Sequence, residues 1–89
     1  MKAVITVIGK DKTGIIFGVT SVLAKNDVNI MDINQTIMQE YFTMIMLVDL
    51  TGMKCGFEEL KKKLEKKAGE LKVTVRIQHE DIFNCMHEV

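Results

Sequence analysis

Eighty-nine residues build one hydrophobic core, which excludes a second, catalytic domain within them. Hydrophobic residues make up 47% and charged residues 27%, a globular composition that excludes a disordered tail or a fibrous repeat. Twelve Lys and Arg balance twelve Asp and Glu, so no global field draws the chain towards nucleic acid or an anionic membrane.

Residues 3–8 are rich in β-branched side chains and close on Gly9, which predicts a first strand entering the turn Gly9-Lys10-Asp11-Lys12-Thr13-Gly14. A helix follows, with Thr13 as N-cap, Ile15, Ile16, Val19, Val22 and Leu23 as its buried face, and Asn26-Asp27 as its stop. Residues 28–39 mix apolar and polar side chains as an edge strand does. Glu40-Tyr41 is read as a tight turn, and residues 42–50 as a nearly apolar central strand. A second helix carries Phe57, Leu60, Leu64 and Ala68 on one face and is expected to stop at Gly69. Residues 71–80 alternate as a half-buried last strand, and 81–89 form a short amphipathic tail.

The order βαββαβ is the ferredoxin-like α+β arrangement, a four-stranded antiparallel sheet with two helices on one face. Its central strands are apolar on both sides, with Ala3, Ile5, Val7 and Val4, Ile8 on one and Phe42, Met44, Met46, Val48 and Ile45, Leu47 on the other, so the bare face is apolar too. That face is expected to be covered by the tail, by a second copy, or by both. Met31, Met38, Met44 and Met46 are read as interface packing. Cys55 and Cys85, thirty residues apart and outside any CxxC, read as reduced thiols of a cytoplasmic protein. The apolar start is too short for a signal peptide, and no stretch approaches a membrane span.

Several chemistries known on this topology find no support. The only arginine, Arg76, is on the last strand, so the first loop lacks an arginine for phosphate. That loop also lacks paired thiolates, and the central strands lack the aromatic platforms of an RNA-binding sheet. Lys61, Lys62, Lys63, Lys66 and Lys67 on the second helix are balanced by Glu58, Glu59, Glu65 and Glu70, the pattern of a solvated face. His79, Glu80, Asp81, Cys85 and His87 are possible metal ligands in no standard spacing. The loop Asp11-Lys12-Thr13-Gly14, with Asn29-Ile30 at the start of strand two, admits two readings. Either the loop and helix N-terminus cradle a small amino acid, with Asp11 facing its ammonium, or Gly14 turns the chain, Thr13 caps and Asn29 starts a strand.

The runs Val7-Ile8-Gly9-Lys10-Asp11-Lys12-Thr13-Gly14-Ile15, Val22-Leu23-Ala24 and Asn29-Ile30-Met31-Asp32-Ile33, with Gln35, resemble the ACT domain, a small regulatory module that binds amino acids. The closing run from His79 to His87 is similar to the ending of stand-alone single-ACT proteins, a group that looks like one repeat of the glycine cleavage system transcriptional repressor. The resemblance covers the whole chain. It implies a homodimer, no catalysis and no cofactor, and an amino acid or similar small metabolite lodged near the first loop at the subunit interface. By position it implies ligand contacts from Asp11, Thr13, Gly14, Ile15, Asn29 and Ile30, with Gln35 farther off. A protein partner would be the regulated species, with neither membrane nor direct nucleic-acid binding. The competing expectations are a ligand-free protein-interaction module and metal binding at the C-terminal cluster.

Overall fold

The computed structural model describes residues 1–10 and 14–81. Its elements run β1 (Lys2–Gly9), α1 (Ile15–Lys25), β2 (Asn29–Met38), β3 (Tyr41–Asp49), α2 (Phe57–Leu71) and β4 (Thr74–His79). The sheet order is β2-β3-β1-β4 with every pair antiparallel, as the ferredoxin-like reading requires. Among the described residues no helix is long and apolar enough to cross a membrane.

Strand alternation sorts the side chains. Ala3, Ile5 and Val7 of β1 and Phe42, Met44, Met46 and Val48 of β3 point to the helices and are buried. They meet Ile15, Val19 and Leu23 of α1 and Leu60 and Leu64 of α2 in one core. Met44 and Met46 are therefore core residues, and only Met31 and Met38 of the four expected interface methionines lie at the surface.

The opposite face is less apolar than expected. Val4, Ile8, Ile45 and Leu47 form a stripe interrupted by Thr6 and Thr43 and bordered by Asn34, Arg76 and Gln78 of the edge strands, with Tyr41 and its partner Met38 extending it at one end. Val4 is only 7% exposed, while Ile8 and Ile45 are open.

Local boundaries differ from the sequence reading where tertiary contacts decide. The β2–β3 turn is Gln39-Glu40, one residue earlier than expected, with Gln39 at φ 55° and Tyr41 already paired to Met38. Helix α2 runs through Gly69 and ends two residues later, where Lys72 takes the left-handed conformation. The extra half-turn puts Leu71 against α1: a Cβ at Gly18 would lie 2.7 Å from Leu71 Cδ1. Gly18 thus allows the two helices to approach, and Leu71 belongs to helix packing rather than to the last strand. The N-cap of α1 is Gly14, not Thr13.

Asn26 ends α1 and is only 6% exposed. Its Nδ2 donates to the Val22 carbonyl at 2.7 Å, and its Oδ1 accepts from Lys63 Nζ at 2.8 Å. Its backbone carbonyl accepts from Lys54 N at 3.0 Å. One buried amide therefore ties α1, α2 and the β3–α2 loop together, which accounts for its burial without cost.

Candidate functional site

The first half of the expected site is the α1 N-terminus. Gly14 is exposed at φ 76°, a left-handed conformation that L side chains rarely adopt, and it offers no side-chain cap to the first turn. A Cβ there would meet nothing within 4 Å. Among the described residues nothing fills the space beside Gly14, and the unpaired N–H groups of a first helical turn, with the positive end of the helix dipole behind them, suit a carboxylate. Ile15 is buried beneath the turn, so only its backbone faces out. Asp11 and Thr13 lie outside the described residues. Lys10 sits over the Tyr41 ring at 5.8 Å, which anchors the start of the loop to β3.

The second half is the start of β2. Asn29 pairs with Asp49 and Ile30 with Val48, after which a bulge at Met31 shifts the register. The bulge increases the local twist beside Asn29 and Ile30. Asp49 is held by Thr51, whose Oγ1 and backbone N–H donate to its Oδ1 at 2.6 and 2.9 Å. Those hydrogen bonds, with a smaller contribution from the Met1 ammonium, keep its carboxyl below the usual range. Asn29 and Ile30 close one end of a groove of about 560 Å³ between α1 and β2, also lined by Phe17, Thr20, Ser21 and Ala24.

The two halves do not meet within one chain. Gly14 begins α1 and Asn29 follows its end, and eleven helical residues separate them by about 16 Å at 1.5 Å per residue. The sheet gives the same answer: Gly9 is level with Phe42 and Asn29 with Asp49, at opposite ends of β3. Gln35 lies between, on β2 opposite Met44.

The groove runs beside an unpaired edge. β2 is the outer strand of the sheet, and its outer backbone groups have no neighbouring strand among the described residues. Phe17 on α1 is 77% exposed and Ile37 on β2 59%, with Ile33 and Met31 also open nearer the start of the same strand. Apolar exposure therefore lies both along the α1–β2 edge, at Phe17, Ile33 and Ile37, and on the bare face, at Ile8, Ile45, Tyr41 and the Met38 paired with it. Phe17 was the missed signal: it is apolar yet falls off the stripe of Ile15, Ile16, Val19, Val22 and Leu23 that packs inward.

Of the five residues weighed as metal ligands, Cys85 and His87 lie outside the described residues. The described His, Cys, Asp and Glu form no three-ligand cluster, and the His79 ring stacks on Phe57 with centroids 4.1 Å apart.

Comparison with known proteins fits this geometry. An ACT domain model matches residues 2–78. A UPF0237 protein of Clostridium acetobutylicum is 58% identical over all of both chains. An ACT domain protein from Streptococcus pneumoniae has a structure similar to this one, with a TM-score of 0.82, 44% identity and 93% of each chain covered. A candidate glycine cleavage system transcriptional repressor shares the fold at a TM-score of 0.71 and 20% identity, with 86% of this chain matching 44% of that one. The match over the length of the sheet and both helices is decisive: this chain belongs to the ACT domain family.

Proposed function

We propose that this protein is a regulatory module that binds a small amino acid between two copies of itself and thereby alters its contact with a protein partner. The observation that carries this reading is the separation of Gly14 from Asn29 along an exposed apolar edge. If β2 pairs antiparallel with β2 of a second copy about a two-fold axis, the start of each strand stands beside the end of the other. Asn29 and Ile30 of the partner subunit then come level with Gly14, and two equivalent sites form. The ten residues of β2 include no proline that would interrupt such a ladder. The dipole at Gly14 suits the ligand's carboxylate, and Asn29 supplies an amide able to donate and accept beside it.

A ligand held by both subunits binds the dimer better than the monomer, and that differential affinity is the whole of its regulatory leverage. Calorimetric titration with each of the twenty amino acids tests the proposal. Saturable heat from at least one, abolished in Asn29→Ala, supports it; no heat or thermal shift from any of the twenty overturns it and leaves a ligand-free interaction module.

A further inference from the structure

We propose a second binding site in the groove between α1 and α2, for a compact polyanion such as a phosphate ester or polycarboxylate with two or more negative charges. The groove holds about 350 Å³, within the range of small-molecule pockets, and is lined by Val22, Lys25, Asn26, Lys63, Lys66, Lys67 and Glu70. A chain with equal numbers of acidic and basic residues has here gathered four lysines from two helices.

The lysines divide into two kinds. Lys63 is fixed at the groove by the buried Asn26 amide at 2.8 Å and lies 3.7 Å from Glu59. Lys67 stands 3.4 Å from Glu70. Lys25 and Lys66 have no ion pair or hydrogen bond among the described residues, and the one carboxylate that lines the groove, Glu70, lies against Lys67, so four ammonium groups border it against a single negative charge. The buried Asn26 and the half-buried Val22 form the floor from which the four lysines reach, so their charges add at one place on the surface. Lysines offer rotatable point charges rather than a planar fork, which suits the crowded oxygens of a compact phosphate or carboxylate cluster. The opposite flank of α2 contrasts with this: there Lys61 and Glu65 share the surface with Arg76 beside β4.

The test is calorimetric titration of the intact protein with inorganic pyrophosphate and with citrate, whose separate responses distinguish a phosphate from a carboxylate ligand. The site predicts saturable binding of at least one anion, weakened by about tenfold or more in the double variant Lys25→Gln, Lys66→Gln and by less than about threefold in Lys61→Gln, Lys62→Gln. All four positions are exposed, so both variants keep the fold. Saturation by neither anion, or equal weakening by both double variants, overturns the proposal. Lys25 also lines the groove that ends at Asn29 and Ile30, so amino-acid titration of the single variant Lys66→Gln, which touches only the groove between the helices, separates the two sites.

Discussion

Replacing Phe17 by Ala separates the surface of this protein from its core. The side chain is 77% exposed on a helix whose other apolar residues pack inward. Fully burying a phenylalanine is worth roughly 1.5–3 kcal/mol, so if the proposed β2–β2 dimer covers the exposed part, each copy would contribute about 2 kcal/mol. A two-fold interface contains two copies, and the double loss of about 4 kcal/mol raises the dimer dissociation constant roughly a thousandfold. The isolated subunit should keep its stability to within about 0.5 kcal/mol, since little packing is lost and alanine favours the helix. Sedimentation over a dilution series measures the first quantity and urea unfolding of the dilute monomer the second. An unchanged dimer constant, or a monomer destabilised by more than about 2 kcal/mol, would refute the placement of Phe17 at the interface.

Further substitutions probe the frame behind the site. Gly18→Val drives a branched side chain into Leu71 and should cost about 2 kcal/mol in urea unfolding, with no change in m-value. Asn26→Ala removes the acceptor for Lys63 and the donor to the Val22 carbonyl, and about 1–3 kcal/mol of stability by the same assay. Asp49 has its folded-state pKa lowered chiefly by the Thr51 hydroxyl, so its stabilisation is present above about pH 4 and lost as pH falls through the lowered value. Asp49→Asn should therefore be less stable near neutrality and lose stability less steeply below pH 4, as acid titrations followed by circular dichroism would register.

Much of this architecture is legible in the sequence because each element carries its own period. The helix faces of Ile15–Leu23 and Phe57–Ala68, the apolar runs of β1 and β3 and the alternation of β4 are local patterns that the sheet only assembles. What escapes are features set by contacts between elements. Gly69 looks like a stop, but Leu71 has a partner at Gly18, and that packing carries α2 past it. Met44 and Met46 look adaptable in sequence, yet they occupy the central strand and are sealed by both helices.

The site was half legible for a topological reason. Gly14 and Asn29 are fifteen positions apart, but a crossover helix runs the full height of the sheet between them and separates what the sequence brings close. The resemblance names Gly14 and Asn29 together; the crossover holds them apart within one chain, so a site that uses both would take them from different copies.

Mixing two defective variants measures this most directly. Gly14→Val and Asn29→Ala should each abolish amino-acid binding as homodimers, while the mixed dimer pairs the intact Gly14 of one chain with the intact Asn29 of the other. The account predicts that mixing restores one site per mixed dimer; since half the dimers in an equal, exchanged mixture are mixed, calorimetry reads about a quarter of the wild-type stoichiometry. If the mixture stays as inactive as its components while exchange of subunits is demonstrated, the site does not span two copies and the central claim fails.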